Sequence, residues 1–473
     1  MARRALVIGG GLSGLAAGFR LTELDPSLEV EVWEAASVPG GWIGTLELTL
    51  DDEPGRPRFV IDTGPESILR DKPAAMALVR RLGIEDRVVR TRTDRHGAYV
   101  VTRGRLERIP EGFSLVGPGD LVGFARSDVV SLEGKARAAL ELAIPARERA
   151  DGEDESLASF VRRRFGWEVL ERLAQPLASG IYGADPEILG LLGTMPRFLE
   201  MERAHGSVTR ALVAAARKAR EEAGSGARYG LFASFDGGMR VLIDALALKL
   251  GARLVLDRTA ASLRRDGAQL VATDGRGVER RFDAVVIAQP AHRTAPLLRG
   301  LEEPAARAAA DGLEAIPHGS AATVTFVWRR ADVPHPLDAY GFVVPRVERR
   351  RALAATWSSE KWPGRAPADY ALIRVFSSGE DDLDERDDAL LGLEARRELA
   401  DLMGITAPPL FEKALRYRRA MPLYGPDHIA RRDAIAKHLG ALEGVAVAGN
   451  SLFGVGIPDA IASGERAAER VAR

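Results

Sequence analysis

The chain reads as an α/β protein, and three observations carry that reading. A short apolar strand runs through a glycine turn into a helix at the N-terminus, and a second strand, glycine-rich turn and helix close the C-terminus. Between them, a stretch with helical periodicity is followed by one rich in strand patterns. Together they predict a Rossmann-like dinucleotide-binding domain with a mixed-sheet substrate domain and a mostly helical insertion.

The first element, Ala5 to Ile8, is a short buried-strand pattern, and Gly9, Gly11 and Gly14 come next in G-x-G-x-x-G spacing before LSGLAAGFRLTEL. The first glycine makes the tight turn, the second lets backbone approach a pyrophosphate, and the third packs helix against strand. Unpaired N–H groups at the helix start favour negative charge without a dedicated lysine, so Gly9, Gly10, Gly11, Leu12, Ser13 and Gly14 form the phosphate cradle. Asp25-Pro26-Ser27 then turns the chain into LEVEVWE, which ends at Glu34, twenty residues after Gly14. There a carboxylate accepts both hydroxyls of an adenosine ribose.

The segment after Glu34 distinguishes FAD from a nicotinamide cofactor. A nicotinamide dehydrogenase enters another helix here. This chain instead continues AASVPGGWIG, where Gly40-Gly41 before Trp42 brings backbone close to the cofactor, and then FVIDTGPESI. In the latter stretch Gly64-Pro65, succeeded by Glu66 and Ser67, makes a tight turn suited to a place beside a flavin ring.

At the C-terminus, LEGVAVAG reads as a strand and GNSLFGVGIPDAIASGERAAERVAR passes from a glycine-rich turn into a last helix with Pro458 and Asp459 in its first turn. If that helix start faces the pyrimidine end of a flavin, its free N–H groups stabilise the reduced, anionic ring.

Composition excludes several classes of function. The 473 residues, 46% hydrophobic and 28% charged, suit a soluble globular chain of two or three domains. Lys+Arg total 66 against 67 Asp+Glu, so no global field gathers nucleic acid. Cysteine is absent, which removes disulfides, thiolate catalysis, Cys-ligated metals and a Cys-tethered flavin. The histidines (His96, His205, His292, His318, His335, His428, His438) lack metal-ligand spacing, and no Ser–His–Asp pattern stands out. No apolar run is long enough to span a membrane. A flavin must therefore carry the chemistry, with no catalytic side chain and no metal assigned.

The middle of the chain divides the labour. Residues 110–205 show helical periodicity punctuated by Pro110, Pro118, Pro145 and Pro176. GARLVLDRT, ASLRRDGAQLVATDG and RRFDAVVIAQP alternate like strands returning to the dinucleotide domain, and SAATVTFVW, YGFVVP, RALAATW and DYALIRVF read as a mixed sheet. The expected division is 1–84, 206–290 and 421–473 for the FAD-binding domain, 85–109 and 291–420 for the substrate domain, and 110–205 for the helical insertion.

The glycine turn, Glu34, Gly40-Gly41-Trp42 and Gly64-Pro65, in this order, resemble the amine-oxidase-like FAD superfamily. Within it DESLASFVRRRFG, SGIYGADP, FDGGMRVLIDAL, FVVP and GNSLFGVGIPDAIASG resemble the oxygen-dependent protoporphyrinogen oxidase family. The resemblance implies non-covalent FAD held also by Asn450, Val455, Gly456 and Ile457, with the backbone of Ala260 at the adenine. It implies removal of six electrons from protoporphyrinogen IX in haem biosynthesis, by hydride transfer to the flavin, with oxygen as acceptor and hydrogen peroxide as product. It further implies a cytoplasmic protein, peripheral on the inner face of the cell membrane through its helical domain, and leaves a homodimer open. A cavity lined by Tyr340, Val343 and Phe376 suits a large flat apolar macrocycle.

The chain departs from the family at four positions. Val38 stands where the family has an arginine, Phe376 where it has a methionine and His318 where it has a tyrosine. Ala98 stands where an arginine grips a substrate propionate, so Arg95 or Arg103 takes that role or the substrate lacks that group. Coproporphyrinogen oxidation, another oxidase or desaturase on this fold, and a non-catalytic paralogue that binds tetrapyrrole or flavin are the alternatives.

Overall fold

The computed structural model describes residues 3–150, 152–223, 231–378, 383 and 385–473. Arg4–Ile8 is the central strand of a five-stranded sheet ordered Leu254–Val255, Glu29–Trp33, Arg4–Ile8, Ala284–Ile287, Val445–Val447. Every neighbouring pair is parallel, with Val7 opposite both Val32 and Val286. A parallel strand with both faces covered reads as a continuous apolar run, which explains ALVI and AVVI. Side chains alternate between the two faces. Val7 packs with the first helix (Leu12–Leu24), the helix Arg240–Leu250 and the last helix (Ile457–Ala472), whereas Leu6 and Ile8 pack with the helices Ala291–Arg299 and Pro304–Glu314 on the other side.

A second sheet, seven-stranded, has the order Phe411–Pro422, His318–Arg329, Tyr370–Ser378, Ala352–Trp357, Gly341–Val343, Tyr99–Thr102, Arg105–Arg108. It is mixed as expected: Gly341–Val343 runs parallel to Tyr99–Thr102 and the other pairings are antiparallel. One face is a core of Val324, Phe326, Ile373, Val375, Phe342 and Trp357. On the opposite face Val343, Ala354, Phe376, Thr323 and Leu415 form one cross-strand row, each residue directly opposite the next.

The helical layer has its own core, in which Phe160, Phe165, Leu173 and Phe198 are buried together. It runs past residue 205. The helix Val208–Ala223 contributes Val208 and Leu212 to the same core, because Ser207, Val208 and Thr209 all donate to Glu141 inside the layer. Near the expected start of the substrate domain, Val88–Arg90 pairs with Phe232–Phe235 rather than with the seven-stranded sheet. No helix among the described residues is long and apolar enough to cross a membrane.

Candidate functional site

The N-terminal turn is shaped by steric necessity. Gly9 has φ +111°, and a Cβ on Gly14 would lie 1.8 Å from the Gly9 carbonyl oxygen, so the helix can approach the strand only through glycine. No side chain caps the first helix, which leaves its leading N–H groups to a ligand. A second turn packs on the first: the Gly40 N–H donates to the Gly10 carbonyl at 2.8 Å, and a Cβ on Gly41 would sit 3.3 Å from the Gly11 Cα. Gly10, Gly11, Gly40 and Gly41 thus form two walls of one cradle.

Glu34 is placed at the edge of that cradle. Its carboxylate accepts the Gly10 N–H at 2.7 Å and the Ala36 N–H at 2.8 Å, which orients it and leaves lone pairs for ribose hydroxyls. The Glu34 carbonyl accepts the Arg258 N–H at 2.8 Å, bringing the start of the strand Ala260–Asp266, and so Ala260, to the same end.

The last helix reaches this cradle by a close crossing. A Cβ on Gly464 would lie 2.1 Å from the Ser13 carbonyl, so the two helices touch backbone to backbone. Seven residues separate Gly464 from Ile457, or about 10 Å at 1.5 Å per residue, so the second helix start lies roughly that far from the first. That spacing matches a diphosphate at one helix start and a ring system at the other. Gly456 caps the second start, with its N–H on the Asp459 carboxylate at 3.3 Å. Val455 is half-buried beside it, and Asn450 is fixed through its side-chain amide on the Ala420 carbonyl and its own carbonyl under the Tyr424 hydroxyl.

The third wall is the turn Thr63-Gly64-Pro65. A Cβ on Gly64 would sit 1.7 Å from the Trp42 carbonyl, so this turn is packed against the Gly40-Gly41-Trp42 segment. Trp42 is 44% exposed and meets Tyr417 edge to face at 5.7 Å. The Glu66 carboxylate accepts Lys361 at 2.7 Å and the Ser358 hydroxyl at 3.1 Å, and Lys361 also reaches the Ser67 hydroxyl. Burial pushes the Glu66 carboxyl up, but the Lys361 ammonium, with Arg374 and Arg365 beyond it, brings it down to about 2.

The expected substrate residues fall in two groups. Val343 and Phe376 share the cross-strand row described above, with Val343 also against the helical layer. Tyr340 is tied instead to the segment that carries Arg95 and Ala98, its N–H donating to the Gly97 carbonyl and its hydroxyl to the Arg92 carbonyl. Arg95 already lies 3.2 Å from Asp94 and 3.4 Å from Glu360. Arg103 occupies the hairpin turn beyond Thr102, five residues from Ala98, which is about 16 Å along an extended strand.

Three polar residues of this site lack any signal in local spacing. Arg374 is 4% exposed and donates to the Gly64 carbonyl at 2.6 Å. The Tyr417 hydroxyl donates to the Thr63 carbonyl, and Lys361 holds Glu66. Among the described residues, no group of three or more His, Cys, Asp or Glu side chains is arranged to hold a metal.

The arrangement fits a dinucleotide: glycines wherever a Cβ would fill the cradle, an uncapped helix start, a carboxylate at the ribose end and an apolar sheet face beyond. Known proteins support that fit. A Coproporphyrinogen III oxidase of Staphylococcus aureus is 30% identical over 100% of this chain and 99% of its own length. That of Bacillus subtilis is 32% identical over 98% and 97%. A mitochondrial protoporphyrinogen oxidase of Nicotiana tabacum is 26% identical over 99% and 95%. A solved structure from Exiguobacterium sp. 255-15, provisionally named a protoporphyrinogen oxidase, superposes with TM-score 0.85 at 27% identity, covering 100% of this chain and 99% of that one. Cyclohexylamine oxidase of Brevibacterium oxydans shares the fold, with TM-score 0.67 at 17% identity over 100% and 99%. The profile of the family described as flavin containing amine oxidoreductase matches residues 12–472, and the chain belongs to that family.

Proposed function

We propose that this FAD-dependent oxidoreductase is a porphyrinogen oxidase of haem biosynthesis that holds its FAD non-covalently. The observation that carries this reading is the convergence of two helix starts and three glycine-lined turns near one apolar cross-strand row, in which Val343 and Phe376 are half-buried and Ala354 buried. Bound FAD supplies a two-electron acceptor that dioxygen reoxidises to give hydrogen peroxide. The chain's own part is to orient a flat macrocycle on the sheet face, exclude water from the reacting C–H bond, and leave the charge balance to fixed backbone dipoles.

Coproporphyrinogen III is the substrate we favour, because near-full-length relatives of that name reach 30 and 32% identity. Protoporphyrinogen IX, the expectation from sequence, is supported by the tobacco relative and by the Exiguobacterium structure. Anaerobic titration of the purified protein with each reduced porphyrinogen, following the bleaching of the flavin band, tests both. We expect stoichiometric bleaching with coproporphyrinogen III; a flavin bleached by dithionite but by neither porphyrinogen would sink the reading. Leu121, Val122, Leu132, Leu140 and Leu142 of the helical layer are exposed apolar side chains, and we read them as its contact with the inner surface of a membrane. Failure of the protein to sediment with anionic lipid vesicles would remove that part alone.

A further inference from the structure

Beneath the Thr63-Gly64-Pro65 turn lies a layer of buried charge. Asp62 pairs with Arg365 at 2.7 Å, both nearly inaccessible, and Arg365 also donates to the Ser234 hydroxyl. Glu66 pairs with Lys361 at 2.7 Å. Each carboxylate of the layer therefore has a cation in contact. Arg374 is the cation left over: among the described residues no carboxylate lies within ion-pair distance of it, and its Nε has no hydrogen-bond partner.

What Arg374 does touch is the wall of the cofactor site. Nη1 donates to the Gly64 carbonyl at 2.6 Å, and Nη2 lies 3.3 Å from the Tyr417 hydroxyl, which itself donates to the Thr63 carbonyl. The guanidinium rests over the Phe376 ring at 4.9 Å, and Thr323 is 3.5 Å from the same tyrosine hydroxyl. A buried guanidinium whose direct hydrogen-bond partners are neutral, with Glu66 beyond contact distance and already paired to Lys361, carries a desolvation penalty that its hydrogen bonds only partly offset. The penalty shrinks when negative charge develops nearby, because in a water-poor site that interaction is weakly screened.

We propose that Arg374 is a positioning residue that sets the electron affinity of the flavin: it fixes the Gly64 turn against the ring, and the one positive charge it adds in excess of the paired carboxylates favours the ring's reduced form. The proposal rests on the reading that places the ring beside Gly64-Pro65. In the step it favours, a substrate C–H bond breaks and its electron pair and hydrogen pass together to the ring, which gains one negative charge, while a substrate N–H proton leaves to solvent. Dioxygen later takes the two electrons, with one hydrogen from the ring and one proton from solvent, as hydrogen peroxide.

The test is the two-electron midpoint potential of the holoprotein, measured against a reference dye for wild type, R374Q and R374K. We expect R374Q to lower the equilibrium constant for flavin reduction at least tenfold, about 30 mV for a two-electron couple, and R374K to stay within about threefold of wild type because it keeps the charge. If R374Q sheds its flavin, R374K decides, with a value within threefold supporting the proposal and a tenfold fall overturning it. An unchanged potential in R374Q, an equal fall in both variants, or loss of flavin from both also overturns it. A wild-type protein that takes up no FAD would instead defeat the cofactor reading itself.

Discussion

At the level of single residues, the N-terminal turn is held by backbone contacts that admit no side chain. The spacing of Gly9, Gly11 and Gly14 is dictated by contacts within a few residues, and a Cβ on Gly14 against the Gly9 carbonyl shows why no other residue fits. Arg374 and Lys361 carry no such signal because their partners, Gly64 and Glu66, are 310 and 295 positions away in the chain, a distance over which no periodicity informs. The same is true of His292. It lies edge to face with His318 at 5.4 Å, and burial, followed by the Arg419 cation and His318, pushes its imidazole down to about 4. Linkage gives the sign: the unfolded chain takes a proton near 6.5 that the folded site refuses until about pH 4, so stability is lost as pH falls through that window. Thermal unfolding monitored from pH 7.5 to 4 should show the midpoint falling in wild type and falling less steeply in H292N. Parallel profiles for the two proteins would show that His292 takes up its proton as readily in the fold as in the unfolded chain.

At the scale of elements, legibility tracks how completely an element is buried. The first helix is readable from end to end as Leu12–Leu24, since its glycine start and apolar stripe both face the core. Four of the five inner strands of the substrate sheet, His318–Arg329, Tyr370–Ser378, Ala352–Trp357 and Gly341–Val343, carry apolar patterns and are equally plain. Phe411–Pro422 is not. It is an edge strand bonded to one neighbour, and Lys413, Arg416, Arg418 and Arg419 along it break the strand pattern while discouraging a second chain from pairing there. Crossings between elements are likewise hidden, although one of them governs the cofactor site. Gly464 lets the last helix lie on the first, and that contact fixes where one helix start stands relative to the other. Gly464→Val should therefore force the helices apart, destabilising the protein by about 2–3 kcal/mol in denaturant unfolding. It should also weaken FAD binding at least tenfold in a fluorescence titration, whereas Gly440→Ala, on open helix surface, should change neither. Normal FAD affinity in G464V would show that the crossing is not what aligns the two starts.

For the whole molecule, the question is how a helical layer with a separate core stays attached to two sheets. Its interior is organised around charge as well as apolar packing. Arg164 and Glu141 are both fully buried and paired; Arg164 also donates to the carbonyls of Ile144, Pro145 and Gly206, and lies 3.3 Å from Glu202. Glu141 in turn accepts the Ser207 hydroxyl at 2.6 Å and the Val208 N–H at 2.8 Å, which ties the helix Val208–Ala223 into the layer. Around them Glu155 and Glu202 are shared by Arg149 and Arg163. The run of arginines from Arg162 to Arg164 resembles a solvated helix face in sequence, and only the third of them is wholly inaccessible. Burial raises the Glu141 carboxyl, but Ser207, Thr209 and Arg164 together hold it below its ordinary value. Arg164→Met removes the cation and leaves two carboxylates buried, which should cost about 3–5 kcal/mol at neutral pH. Without the guanidinium, burial dominates, Glu141 takes up a proton at higher pH, and part of the loss should return as pH falls towards 5. Denaturant unfolding of R164M at pH 8 and pH 5 checks this: the deficit relative to wild type should be larger at pH 8. A deficit that does not change with pH would mean that Arg164 acts through packing and its carbonyl contacts, not through the charge it balances.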